Sequence, residues 1–93
     1  MSTALLIEQR LREQLAPLYL EVIDESHKHA GHAGARGGGG HFRVTLVSAA
    51  FEGKRLMEQH RLIYGLFREE MKQQIHALAL QTLTPSEWEK AKG

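Results

Sequence analysis

The sequence predicts an α+β domain in which helices cover one face of a three-stranded sheet. Two segments alternate apolar and polar residues, as half-buried strands do, and a later segment repeats apolar residues with the period of a helix. The chain has 93 residues, of which 42% are hydrophobic and 25% charged, values that are ordinary for a small globular domain. We therefore expect a single domain over residues 1–93, with elements in the order α-β-β-α-β-α.

The chain is predicted to open with a helix followed by a strand. Ser2 and Thr3 can cap a helix that runs to about Leu15. Pro17 then ends this helix, because proline has no backbone N–H to donate. Residues 18–24 alternate apolar and polar side chains, which predicts a half-buried strand.

A second strand is predicted after a long glycine- and histidine-rich connection. Residues 41–48 place Phe42, Val44 and Leu46 on one face and predict a strand antiparallel to the first. The connection, at about residues 25–40, ends in four consecutive glycines, which no ordered strand ladder favours. We expect a flexible loop there, which is either functional or a solvated spacer.

The period of the chain becomes helical over residues 54–72. On a helical wheel one side collects the apolar residues Leu56, Ile63, Leu66, Phe67 and Met71. These residues predict one long helix packed on the core, or two shorter helices if the chain breaks near Gln59.

The last two elements are a strand and a short helix. Residues 75–82 are apolar on both faces, which predicts the central strand of the sheet. Thr84 is predicted to cap the final helix, with Pro85 at its first position and Glu87 three residues after the cap. Trp88 would pack this helix onto the domain.

Composition and charge exclude several classes of function. The absence of cysteine excludes a disulfide framework and any thiolate metal site made by this chain alone. No segment approaches the length of a membrane span, and Glu8 interrupts the early apolar residues, which argues against a targeting peptide. We find no catalytic serine, histidine and aspartate set and no paired carboxylates. We therefore expect a cytoplasmic protein that is neither an enzyme nor membrane-bound.

The six histidines are the residues best suited to bind a metal. His76 and His41 each lie at the head of a predicted strand, and His41 should point to the outer sheet face in a structural or interface role. His60 falls on the apolar side of the helix, which favours a hydrogen-bonded core or boundary residue over a ligand. The loop residues are His27, His29 and His32. Their spacing permits zinc chelation, although a structural zinc site needs four ligands.

Six segments of the chain together resemble the BolA family over nearly the whole domain. They are LEVIDES at 20–26, HFRV at 41–44, FEG at 51–53, HRLIY at 60–64, IHALA at 75–79 and TPSEW at 84–88. The resemblance implies a KH-like fold of the type II arrangement, αββ(α)αβα with a mixed three-stranded sheet. It also implies that the nucleotide-clamping GxxG loop of true KH domains is absent, and we find none between the predicted helices.

The resemblance further implies a shared iron–sulfur site. BolA-like proteins pair with monothiol glutaredoxins and share a bridging [2Fe–2S] cluster, for which the glutaredoxin and its glutathione supply thiolates. The family's two histidine ligands match His76 and, in the loop, His29. The long glycine-rich loop of this chain leaves His27 and His32 as competitors for the second position. The implied role is cluster trafficking or iron and redox regulation, by a chain that is a monomer or weak homodimer when alone.

A DNA-binding transcriptional regulator is the alternative function, because some BolA-like proteins are described in that way. The predicted helix gathers a basic stripe on its outer side, composed of Lys54, Arg61, Arg68 and Lys72. Four such charges can contact phosphates. Glu58 and Glu69 flank the stripe, and the net charge of +1 is below the basic footprint of a typical DNA-binding domain. A solvated helix face explains the stripe equally well.

Overall fold

The computed structural model describes residues 2–29 and 39–93. Its helices and strands are α1 (Thr3–Leu15), β1 (Tyr19–Asp24), β2 (Gly40–Val47), α2 (Leu56–Leu66), β3 (Ile75–Leu83) and α3 (Pro85–Lys92). The predicted α+β class and the order of the elements are thereby confirmed. The predicted flexible loop is partly regular, since Ser26–His29 form a 3₁₀ turn, and its residues 30–38 lie outside the described ranges.

The sheet is mixed, and its central strand is β2. β1 pairs with β2 in antiparallel register, as predicted, and β2 pairs with β3 in parallel register. The strand order β1-β2-β3 places β3 at an edge, so the prediction that residues 75–82 form the central strand is wrong. The prediction is wrong because alanine counts as apolar in the sequence pattern but does not need to be buried. Ala79, for example, is exposed. α2 contacts this edge strand through the Tyr64 hydroxyl, which donates to the Leu78 carbonyl over 2.8 Å.

The hydrophobic core lies between one face of this sheet and the helices α1 and α2. Its buried members are Ile7, Leu11, Leu15, Phe42, Val44, Leu46, Phe51, Ile63, Phe67, Ile75 and Leu78. The predicted inward face of β2 is therefore confirmed. Among the described residues, no helix combines the length and apolar character that a membrane span requires.

The predicted helix over residues 54–72 is shorter in the structure. α2 ends at Leu66, the chain leaves the helical conformation at Phe67, and a separate 3₁₀ turn follows at Glu70–Lys72. Leu56 is 60% exposed, so its predicted place among the core residues is wrong. Leu56 is the first residue of α2, where the helix extends beyond the core.

No break occurs near Gln59, because this buried side chain ties α2 to its surroundings. The Gln59 amide donates to the Lys54 carbonyl over 2.9 Å and to the Phe51 carbonyl over 3.4 Å. The Thr82 hydroxyl donates to the Gln59 Oε1 atom over 2.6 Å. A buried polar residue in the first turn of α2 is thus compensated by hydrogen bonds to the segment before the helix and to β3.

The last helix begins as predicted and reaches the other face of the sheet. The Thr84 hydroxyl accepts from the Glu87 N–H over 3.2 Å, and the Glu87 carboxylate accepts from the Thr84 N–H over 2.8 Å. Trp88 stacks on Tyr19 with ring centroids 4.8 Å apart. Tyr19 alternates with the core-facing Leu20, so its ring belongs to the outer face. The predicted one-sided arrangement therefore holds for α1 and α2, whereas α3 contributes Trp88 to the opposite face.

An ion pair joins α1 to the segment that follows α2. The Arg10 guanidinium donates to the Glu70 Oε1 atom and to the Leu66 carbonyl, each over 2.8 Å. It also lies over the Phe67 ring, 5.2 Å from its centroid. The hydrogen bond from Arg10 outweighs partial burial and lowers the pKa of the Glu70 carboxyl group.

This ion pair predicts a measurable dependence of stability on acid. Because the pKa of Glu70 is lowered in the folded state, the pair stabilises the fold above the ordinary glutamate pKa and is lost as pH falls through the lowered value. Glu70→Gln should lower the free energy of unfolding at pH 7 by up to about 1 kcal/mol and reduce the stability difference between pH 7 and pH 3. Urea unfolding at both values tests this. Glu89→Gln, at a 73% exposed carboxylate on α3, is the control and should change neither quantity.

Candidate metal centre

A β-bulge at the start of the parallel strand pair presents His76. The register moves from Gly40 opposite Ile75 to His41 opposite Ala77, so β3 advances two residues where β2 advances one. His76 is therefore the extra residue of the bulge, a distortion that commonly redirects a side chain next to a functional site. Ile75 before it is fully buried in the core, while His76 is exposed.

The bulge brings His76 beside His41. The centroids of the two imidazole rings are 4.9 Å apart, and their planes are inclined by 43°. His41 is half-buried, which agrees with the prediction that it faces away from the core. The sequence pattern predicts both histidines at strand heads but does not predict that they lie together. Their proximity depends on the parallel pairing and on the bulge, and no glycine or proline in β3 signals either.

Hydrogen bonds to His41 join the two ends of the connection between β1 and β2. The Asp24 carboxylate accepts from the Ser26 N–H over 2.9 Å, and the Ser26 hydroxyl accepts from the His41 N–H over 3.1 Å. The Glu25 N–H donates to the His41 carbonyl over 2.8 Å. The side-chain hydrogen bond with Ser26, followed by the backbone one, lowers the pKa of Asp24. These bonds fix the 3₁₀ turn at the head of β2.

The returning end of the connection lies against His76. A Cβ atom added at Gly39 would stand 2.8 Å from the His76 Cβ atom and 3.0 Å from its backbone nitrogen, so only glycine permits this approach without a shift. The Gly40 N–H donates to the Gln74 carbonyl over 2.9 Å. The last residues of the glycine run are therefore part of the packed structure and not a solvated spacer.

The other predicted ligands are described only in part. His27 is exposed within the 3₁₀ turn, whereas the side chain of His29 and the whole of His32 lie outside the described residues. Where the structure describes the chain, no group of three or more histidines, aspartates and glutamates is assembled as a metal site. The described chain thus presents a pair of imidazoles, and a metal centre here needs further ligands from elsewhere.

His60 is only partly as predicted. It is half-buried at the boundary of α2, in agreement with the prediction. Its Nε2 atom is buried, and no described residue is its hydrogen-bond partner, so the predicted hydrogen bond is not found at this atom. A buried nitrogen without a partner carries a desolvation cost.

The predicted basic stripe does not lie on a single helix. All four of its residues are exposed, but Lys54 precedes α2, and Arg68 and Lys72 follow its end. The Lys72 Nζ atom is also 3.1 Å from the Glu69 carboxylate. The stripe is thus interrupted because the chain turns into the core at Phe67.

Comparison with known proteins places this geometry in a family context. A family model described as BolA-like protein matches residues 11–87. The chain is 47% identical over 83 residues to the DNA-binding transcriptional regulator BolA of Escherichia coli K12, covering 89% of this chain and 76% of that protein. The solved structure of the BolA domain of SufE1 from Arabidopsis thaliana has a TM-score of 0.83 at 44% identity, covering 94% of this chain and 96% of that one.

The relatives differ greatly in length. SufE-like protein 1, chloroplastic/mitochondrial, of Arabidopsis thaliana is 45% identical over 91 residues, which are 92% of this chain but only 24% of that protein. The chain therefore spans about a quarter of this plant relative and about three quarters of the bacterial one. The names of these relatives describe a regulator and a SufE-like protein, and they indicate no catalytic activity for the shared domain.

Proposed function

Because the chain belongs to the BolA-like protein family, we propose that it forms a heterocomplex with a monothiol glutaredoxin and helps to ligate a bridging [2Fe–2S] cluster. The observation that carries this proposal is the exposed His76 on the bulge at the head of β3. The imidazole is exposed and therefore accessible to a partner. The buried Ile75 before it anchors its backbone in the core. The proposed role is cluster trafficking or iron and redox regulation in the cytoplasm.

The donor set of this chain fits such a cluster only when a partner contributes to it. The chain has no cysteine, so every thiolate must come from the glutaredoxin and its glutathione. Imidazole nitrogen is a chemically sound replacement for thiolate, since histidines replace two cysteines in Rieske centres and raise the reduction potential. When bound, the cluster would supply one-electron redox chemistry and transferable iron and sulfide.

The residues of this chain have distinct parts in the proposal. His76 would be the ligand presented by the folded domain. The second ligand would come from the loop, with His29 first and His27 and His32 as alternatives. The hydrogen bonds among Asp24, Ser26 and His41 support this arrangement, because they hold the start of the loop at the end of the sheet where His76 lies.

Co-expression with a monothiol glutaredoxin tests the proposal. We expect a one-to-one complex on size exclusion whose visible absorption and circular dichroism differ from those of the glutaredoxin homodimer. Recovery of only that homodimer with its own cluster spectrum would overturn the proposal.

The loop variants make a further prediction for the same complex. His29→Ala should weaken the cluster only mildly, because His27 or His32 can take its place from the same loop. The triple variant His27→Ala, His29→Ala, His32→Ala should match the full defect of His76→Ala in the visible circular dichroism spectrum. A normal cluster spectrum in the triple variant would show that the loop supplies no ligand.

DNA binding is the second candidate function, and the name of the Escherichia coli relative favours it. Binding through the four basic residues should fall steeply with salt, with a log–log slope of up to about −4. The double variant Arg61→Glu, Arg68→Glu should abolish it in a fluorescence anisotropy assay while the fold persists, since both side chains are exposed. Lys90→Glu with Lys92→Glu changes the charge equally on α3 and is the control. Equal loss of DNA binding in both double variants would show that Arg61 and Arg68 are not specific contacts to DNA.

A further inference from the structure

We propose that His41 and His76 form a two-histidine site at which the chain, without any partner, binds a divalent transition-metal ion of the zinc, nickel and copper class. The site is the ring pair at the bulge, and it requires no residue of the loop. Imidazole is a suitable ligand for these metals, whereas magnesium and calcium require oxygen ligands. The proposal does not depend on the iron–sulfur function.

The distance between the rings fits chelation of one ion. In such a site the ion lies about 2.0–2.1 Å from one nitrogen of each imidazole. If the N–metal–N angle lies between a right angle and the tetrahedral angle, the ring centroids are roughly 4.5–5.2 Å apart. The observed separation is 4.9 Å. The inclination of 43° shows that the rings are not stacked face to face. Formation of the site requires rotation of the two side chains until one nitrogen of each ring faces the ion.

The backbone beneath both rings is fixed before any ion arrives. His41 is held by hydrogen bonds from its N–H to Ser26 and from the Glu25 N–H to its carbonyl. His76 follows the fully buried Ile75, and Gly39 lies against its Cβ atom. Because the backbone is already fixed, binding restricts only the two side chains, which lowers the entropic cost of binding.

The surroundings leave room for the remaining ligands of the ion. His76 is exposed, so water can fill the open positions. The Glu25 carboxylate, next to the 3₁₀ turn, lies 3.3 Å from the Arg43 guanidinium. A site with two protein ligands and open positions is exchangeable, unlike a closed structural zinc site.

One consequence concerns regulation, and it rests on the proposed function. A metal ion held by His76 and the cluster of the glutaredoxin complex require the same imidazole. Zinc should therefore compete with cluster assembly in the heterocomplex. This competition can fail while metal binding to the free chain succeeds, so the two claims are separable.

Zinc titration of the full free chain by calorimetry tests the site. We expect saturable binding of one ion, with the affinity reduced at least tenfold in His41→Ala and in His76→Ala. His60→Ala is the matched control and should bind zinc as the unmodified chain does. Unchanged affinity in both test variants, or a loss confined to the triple loop variant, would overturn the proposal.

A second measurement uses the unmodified chain and does not depend on the folding of any variant. In assigned ¹H–¹³C spectra of the imidazole rings, zinc should shift the signals of His41 and His76 together, and magnesium at the same concentration should shift neither. Zinc-induced shifts at the loop histidines without shifts at His41 and His76 would assign the ion to the loop and refute the two-histidine site.

Discussion

Replacing His76 with alanine is expected to leave the domain folded and to abolish the cluster shared with a monothiol glutaredoxin. The fold should persist because the side chain is exposed and its loss removes little buried apolar area. The cluster should be lost because the chain has no thiolate that could fill the vacated position. Visible absorption and circular dichroism of the co-expressed complex measure the loss, and the glutaredoxin homodimer should accumulate in its place.

His60→Ala is the matched control for this variant. It makes the same substitution at a histidine on α2, away from the strand heads, and should leave the cluster spectrum unchanged. A normal heterodimeric spectrum in His76→Ala would place the ligand elsewhere and return His76 to a purely structural role on the bulge.

Replacing Ile63 with alanine is expected to destabilise the domain by about 2–5 kcal/mol, the largest stability effect that we predict. Ile63 is fully buried in the core beneath α2, so its truncation leaves a cavity that the surrounding side chains fill only in part. Urea unfolding followed by far-ultraviolet circular dichroism measures the change in the free energy of unfolding.

Leu56→Ala is the matched control on the same helix. The 3.6-residue period predicts that Leu56 faces the core with Ile63, whereas the structure leaves it 60% exposed. The structure therefore predicts a change within about 0.5 kcal/mol for Leu56→Ala. Equal losses in the two variants would contradict the position of α2 described above.

The elements that sequence reasoning placed well are those with strong local signals. The alternation around Val44 marks a strand with one buried face, and Thr84 with Glu87 forms the predicted capping box. Both signals arise from contacts within or directly beside the element, so they can be read from a few residues.

The wrong predictions concern segments whose apolar pattern fits more than one structure. Phe67 and Met71 continue the apolar spacing of α2, but they reach the core from the segment after the helix has ended. The apolar pattern of β3 does not predict its edge position, because its outer face carries alanines, which are apolar and yet tolerate exposure. Neither distinction is local, since each depends on where the other elements pack.

The candidate site was predictable as a set of residues but not as a geometry. A histidine at the head of β3 follows from the sequence, and its family role follows from the resemblance. The bulge that makes His76 the extra residue, and the neighbouring ring of His41, follow only from the three-dimensional pairing of β2 with β3. Residues distant in sequence meet here through a parallel register that no local pattern encodes.

Pulsed electron paramagnetic resonance of the reduced heterocomplex tests the central claim, that an imidazole of His76 ligates the shared cluster, most directly. Only this chain would carry ¹⁵N-labelled histidine, and the glutaredoxin would be unlabelled. We predict strong ¹⁵N hyperfine couplings typical of a directly bound imidazole in the unmodified heterocomplex, and a His76→Ala sample whose remaining cluster signal shows no ¹⁵N coupling because it belongs to the glutaredoxin homodimer. An unmodified heterocomplex whose cluster shows no strongly coupled ¹⁵N would contradict histidine ligation by this chain.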